Sequence, residues 1–410
     1  MTGSRKRIAV AWIAETVSVA LLTSCGLLGR DDSDAKLEKG KPLDLAEFTP
    51  EATLDLNWRT RIGKGLGKKY IALAPRIVGD LVVAADAYGI VEARNRLNGR
   101  VEWSARVGRP RSKGFLQVRD RADTSFVSGG LGAGEGMVVL GTTRGEVIAL
   151  SAADGKELWR TRVTSEVLAA PSVRSEVVAV QTADGKLHVL DVKDGAPRWA
   201  YDSQVAPLTL RGTAAPVILD GVIYAGFSNG ILAAFDISTG AAFWEQRIAL
   251  PEGTSEIDRL VDVDGTPLIF GPMVIASSYQ GVTKAISRAN GQVLWELDLS
   301  SHISPKTGLR QVYIVANDGV LKAVDAELAE VNWEVETLIN RELTEPIVFG
   351  NYLAVGDHLG YVHILAQSDG RFVARRKMRE GVRSPIAYQE GDLYVLANNG
   401  YLYSYSVERD

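Results

Sequence analysis

A single cysteine and four histidines in 410 residues leave little room for thiol or metal chemistry. Cys25 has no partner for an intramolecular disulfide, and one cysteine among scattered histidines cannot build a cysteine-rich zinc site. Charge of either sign is not in excess: 46 Lys and Arg stand against 50 Asp and Glu, for a net charge of −4. That balance excludes a general nucleic-acid binder, which needs a strongly basic face. Nor does any apolar run reach the ~20 residues that cross a membrane as a helix. The glycine-rich stretch Ser128-Gly-Gly-Leu-Gly-Ala-Gly-Glu-Gly136 fits neither a dinucleotide fingerprint nor a P-loop, and reads as a loop leading into a strand. No segment beyond the N-terminus has a convincing helical period. Apolar residues make up 46% of the chain, which excludes disorder over most of its length. Length alone suggests two or three domains.

What is present begins with an address. Arg5, Lys6 and Arg7 precede the mostly apolar stretch 8–22, and small residues follow, a pattern that predicts a secretory signal peptide over 1–24. Leu22-Thr-Ser-Cys25 is similar to the lipobox of bacterial lipoproteins, which implies that Cys25 is lipidated and becomes the mature N-terminus. Glu15 is an unusual residue inside such an apolar run. Gly26 after the cysteine, where an aspartate would retain a lipoprotein at the inner membrane, implies the outer membrane. Residues 25–50 are polar and charged and read as a flexible lipidated tether. A single domain is expected over 51–410.

That domain is a repeat. Tryptophans stand at 58, 103, 159, 199, 244, 295 and 333. Gly89, Gly145, Gly185, Gly230, Gly281 and Gly319 each precede one of them by 14 positions. A second glycine follows the first by ten in five units (Gly99, Gly155, Gly195, Gly240 and Gly291), while Ala329 replaces it in the sixth. Gly360 and Gly370 lead instead to Ala374, and Gly400 runs into the C-terminus. Between these marks lie short β-branched and alternating runs, such as Met137-Val-Val-Leu140 and Gly145-Glu-Val-Ile-Ala-Leu150, bounded by Asp-Gly and Asn-Gly pairs. Such dipeptides accept the positive φ of tight hairpin turns, so each unit is an antiparallel meander. Eight units of about four strands predict an all-β, eight-bladed propeller of four-stranded antiparallel blades. The last unit stops one strand short, and the strand around Trp58 precedes the first full unit. The N-terminal strand is therefore expected to complete the eighth blade and close the ring, leaving no open inter-blade edge. The tryptophans are expected to pack against neighbouring turns.

The pattern Ala234-Phe-Asp236-x-x-Thr239-Gly240-x-x-x-Trp244 resembles the tryptophan-docking repeat of quinoprotein dehydrogenases. One reading is thus a quinone-dependent periplasmic dehydrogenase. The chain lacks their vicinal cysteine pair, and its acidic residues show no calcium-ligand spacing. His358 and His363 are five apart and fall on opposite sides of an extended strand, a poor metal pair. No cofactor, metal or catalytic residue is assigned. The lipobox, the tether, the eight repeats and the length together resemble the BamB family, propeller lipoproteins of the outer-membrane β-barrel assembly machinery. Two stretches carry that resemblance: Pro207-Leu-Thr-Leu-Arg-Gly212 before the fourth blade, and Ser255-Glu-Ile-Asp-Arg-Leu-Val-Asp-Val-Asp264 before the fifth.

The resemblance implies a non-enzymatic scaffold, lipid-anchored on the periplasmic face of the outer membrane, that binds the POTRA domains of the central barrel-assembly protein and aids barrel insertion. It implies that Leu208, Leu210, Arg211, Asp262 and Asp264 make that contact. Leucines beside an arginine, ringed by carboxylates, form a plausible anchor; core leucines and turn aspartates are the structural alternative. Exposed blade edges would also offer unfolded barrel proteins a site for strand addition, although a closed ring keeps its edges short. Basic clusters at 106–121 and 371–383 read as solvated rim, with contact to acidic partners or lipid head groups as the alternative.

Overall fold

The computed structural model describes residues 40–409 apart from 68–70, 109–125, 205–213, 252–253, 256 and 258. Eight four-stranded sheets make up the described chain, every neighbouring pair antiparallel. Blades are numbered here in chain order. Blade 1 comprises Arg76–Val78, Leu81–Ala85, Ile90–Asn95 and Val101–Arg106, from innermost to outermost strand. Blade 4 comprises Val217–Leu219, Val222–Gly226, Ile231–Asp236 and Ala242–Arg247, and blade 7 comprises Ile347–Phe349, Tyr352–Gly356, Tyr361–Ala366 and Phe372–Lys377. The two middle strands of a blade are its most buried, almost wholly so in blades 2 and 4, because both of their faces meet neighbouring blades. This is why they read as continuous apolar runs, whereas the outer strands alternate.

The ring closes as expected. Ala52–Arg61 pairs with Tyr401–Arg409 and forms the outer strand of blade 8, around a bulge between Leu56 and Trp58.

The Gly–Trp period is the joint between blades. Each tryptophan sits on an outer strand and donates its indole N–H to a carbonyl in the next blade: Trp58 to Arg96, Trp103 to Ala152, Trp159 to Val192 and Trp244 to Arg288, at 2.8–3.0 Å. The indole face covers the glycine that turns the next blade's third strand into its fourth. At Gly155, with φ +70°, a Cβ would come within 2.4 Å of Trp103 Cε3, so glycine serves both the backbone and the contact. Ala329 occupies the equivalent turn at φ +59°, and Trp295 still reaches the Ala326 carbonyl at 3.0 Å.

Blade 7 carries Ala374 in place of the tryptophan. Residues 43–51 lie along its outer strand: Glu51 N–H donates to the Val373 carbonyl, Phe48 packs on Phe372 at 5.7 Å, and Leu45 reaches the core under blades 6 and 7. The boundary expected at residue 50 thus differs from the structure, in which the propeller body already holds the chain from residue 43.

Candidate functional site

Strands that alternate in direction from the axis outward put two kinds of connection on opposite faces. The turns between first and second strands, and between third and fourth, share one face. The opposite face, here the loop face, collects the turns between second and third strands and every connection from one blade to the next. Among the latter, 107–126 and 248–267 are the longest, followed by 62–75 and 203–216. The described ends of the connections that hold the two stretches, at 203–204 and 214–216 and at 259–267, therefore lie on the same face, flanking blade 4. Asn229, in a loop-face turn of that blade, donates its side-chain N–H to the Ser203 carbonyl at 2.6 Å. Val263 N–H meets the Phe227 carbonyl of the same turn at 3.2 Å.

Leu208, Leu210 and Arg211 lie outside the described residues, as does Cys25. Asp262 and Asp264 are described, and their setting differs from an exposed acidic ring. Asp262 is fully buried within the apolar run Leu260, Val261 and Val263, and its carbonyl accepts from Tyr279 N–H in blade 5 at 2.9 Å. Asp264 faces inward and lines the axial channel. Burial, with Asp262's charge adding to it, pushes the Asp264 carboxyl up to about 8. The run 260–264 packs between the loop-face turns of blades 4 and 5, through Val263 N–H to the Phe227 carbonyl and the Asp262 carbonyl to Tyr279 N–H, which holds Asp262 in the core and Asp264 at the channel wall.

The sign of the Asp264 effect follows from linkage. Between the ordinary carboxyl value of 3.8 and about 8, the folded state keeps a proton that the unfolded state has lost. Stability therefore falls as pH rises through that window. Asp264→Asn is expected to flatten this slope and to exceed the parent at pH 9 by about 2 kcal/mol, below the full shift because the channel opens to solvent. Urea denaturation across pH checks it; parallel profiles for parent and variant would overturn it.

The same connection carries groups that sequence reasoning passed over. Leu250 is 64% exposed and Ile257 63% exposed, two large apolar side chains in one loop-face segment. Leu250 borders a cleft of about 520 Å³ between blades 4 and 5, lined also by Arg247, Gln280, Lys284, Glu296 and Asp298. The signal available in the sequence was their position between two strand runs, where no buried face claims them.

The basic stretch 371–383 turns out to be engaged in the fold. Arg371 forms two bonds to Glu51 at 2.8 and 3.0 Å and also pairs with Asp369. Arg375 lies over Phe48 and Phe372 at 4.9 and 4.7 Å, and Lys377 over Tyr361 at 4.1 Å. Most of the stretch 106–121 lies outside the described residues. Of the histidines, His363 is buried in a strand of blade 7 and His358 bonds the Arg341 carbonyl at 2.7 Å. Among the described residues no group of three His, Cys, Asp or Glu side chains could hold a metal ion.

The family described as "Outer membrane protein assembly factor BamB" matches residues 117–335. The Pseudomonas aeruginosa protein of that name is 40% identical over 367 residues, spanning 89% of this chain and 92% of the relative. The chain belongs to the BamB family. The crystal structure of BamB from Moraxella catarrhalis superposes with a TM-score of 0.75 at 29% identity, covering 86% of this chain and 99% of that one. Quinohemoprotein alcohol dehydrogenase from Comamonas testosteroni has a TM-score of 0.67 at 16% identity, covering 86% of this chain and 76% of the dehydrogenase. At that identity the likeness is one of fold, in accord with a repeat that BamB-family and quinoprotein propellers share. The BamB relatives are named as assembly factors, which favours the non-enzymatic reading of this BamB-family chain.

Proposed function

We propose that this protein is a non-enzymatic scaffold of outer-membrane protein assembly. It is anchored through lipid on Cys25 at the periplasmic face of the outer membrane and binds the POTRA domains of the central barrel-assembly protein. Membership of the BamB family supports the assembly role. The observation that supports the partner site is that the described parts of connections 203–216 and 248–267 lie on one face around blade 4, where Leu250 and Ile257 are exposed. In this reading Leu208, Leu210 and Arg211 supply the anchor. Asp262 and Asp264 act from behind: the buried Asp262 and the channel-lining Asp264 pin the base of the second connection so that its outer part is presented to the partner. A partly preordered loop loses less entropy on binding than a free one.

The experiment is capture of the POTRA domains by the membrane-extracted full chain. The parent is expected to retain them. Leu210→Ala combined with Arg211→Ala is expected to weaken binding at least about tenfold, as loss of central anchor residues does, with an unchanged melting curve. A folded double variant that binds like the parent would remove these residues from the site.

A further inference from the structure

The axial channel has an electrostatic character unlike the rest of the molecule. It encloses about 550 Å³ and draws wall residues from all eight blades. In the chain entering blades 1, 5 and 6 its lining falls at alternate positions, as in Ala72, Ala74 and Arg76, Asp264 and Thr266, or Ser304 and Lys306, whereas blades 2, 3 and 4 contribute continuous runs such as Gly130 to Ala133. The alternation is the two-residue period of a strand with one side turned to the axis. Small residues dominate the middle layer, with Thr266 and Ser304 supplying hydroxyls. Below them, towards the face opposite the loops, stand Arg76, Lys306 and Arg174.

The compensation of these cations is incomplete. Lys306 Nζ lies 3.3 Å from Glu345 Oε1. Arg76 donates from Nε to the Leu131 carbonyl at 2.6 Å, a neutral acceptor. Burial lowers the pKa of Arg76, and the attraction of Glu345 only partly offsets it. Asp264, the other acid in the wall, sits at the loop-face end and holds its proton at neutral pH. Among the described residues of the lining, Arg76 and Lys306 therefore face one ionised carboxylate, with the exposed Arg174 adding positive charge at the channel's end, in a chain whose net charge is −4.

We propose that the axial channel binds a small organic or inorganic dianion, carboxylate or phosphate, between Arg76 and Lys306, entering from the face opposite the loops. An arginine whose Nε is tied back to the wall presents its remaining N–H groups in a fixed plane, which suits paired oxygens. The channel volume falls in the range of ordinary small-molecule sites. The incoming anion shares Lys306 with Glu345, so Glu345 acts as an internal competitor. The site lies on the axis, apart from the loop-face segments of the partner reading, and stands or falls independently of it.

The test is isothermal calorimetry of the full-length protein at low salt and pH 7, titrated separately with inorganic phosphate, succinate and citrate. Binding in the millimolar range or tighter is expected for at least one, and the three arms distinguish phosphate from carboxylate recognition. Arg76→Gln and Lys306→Gln are each expected to weaken it about tenfold, the worth of a hydrogen bond to a charged group. Glu345→Gln is expected to tighten it several-fold, a gain that damaged folding cannot produce. No heat with any of the three at about 10 mM, where a millimolar site would be mostly filled, would overturn the proposal. So would equal affinity in all three variants, the mark of surface association.

Discussion

Asp357→Ala is expected to destabilise the protein by about 3–5 kcal/mol, the cost of leaving buried cations without their counter-charge. Asp357 is fully buried in a loop-face turn of blade 7. One carboxylate oxygen accepts from Tyr361 N–H at 2.7 Å. The other accepts from Arg341 Nη1 at 2.9 Å and His363 Nε2 at 3.2 Å. Burial alone would raise its pKa, but the bonds from His363, Tyr361 and Arg341 hold it below the usual carboxylate range. On the far side of the imidazole, Arg375 Nε donates to Nδ1 at 3.2 Å, so His363 is the neutral Nε2–H tautomer, and burial lowers its pKa accordingly. The network thus sets one anion against Arg341 and Arg375. Without Asp357, Arg341 Nη2 still donates to the Leu43 carbonyl at 2.6 Å, but Nη1 loses its carboxylate acceptor. Asp369→Ala, which removes an exposed partner of Arg371, is the matched control and is expected to cost about 1 kcal/mol or less. Equal denaturation midpoints for the two variants would show that the buried network contributes nothing particular.

The second large effect is expected at the blade joint. Trp103→Ala should cost about 3–5 kcal/mol, as deletion of a buried aromatic does. Trp103 is 7% exposed, covers Gly155 of blade 2 and donates to the Ala152 carbonyl at 2.9 Å. Gly155→Val attacks the same joint from the other side. It places a branched side chain at φ +70° and drives its Cβ into the indole. Because both changes spoil one contact, their costs should not add. In the Trp103→Ala background, Gly155→Val should retain the backbone strain alone, about 1–3 kcal/mol. Urea denaturation of the two single variants and the double variant closes the cycle. Additive losses would mean that tryptophan and glycine act separately.

Why the fold was legible is visible at this joint. The 14-residue interval from glycine to tryptophan spans two adjacent strands and their turns, so its geometry is set by near neighbours in the chain. The positions of Gly89, Gly99 and Trp103 suffice to place the third and fourth strands of blade 1 and the turn between them. Ala329 and Ala374 departed from the pattern without altering the blades, since backbone pairing continues through both units. The missing last strand of the eighth unit was legible too, because strand count and ring closure together demanded a donor from the N-terminus.

The site was less legible for a physical reason. Asp262 and Asp264 sit in a segment with no repeat, and extended chain alternates its faces whether its surroundings are solvent, core or channel. Only the turns of blades 4 and 5 decide that Asp262 is enclosed and Asp264 looks onto the axis. The same holds for the first residues of the body. Glu51 meets Arg371 and Leu43 meets Arg341 across about three hundred positions, and no local pattern encodes such a pairing. By itself the sequence determined the number of blades, their strands, their joints and the closure of the ring, because those follow from turn chemistry and short-range spacing. The tertiary structure alone decided which charges are buried in blade 7 and which line the channel, because each depends on blades brought together by the curvature of the ring.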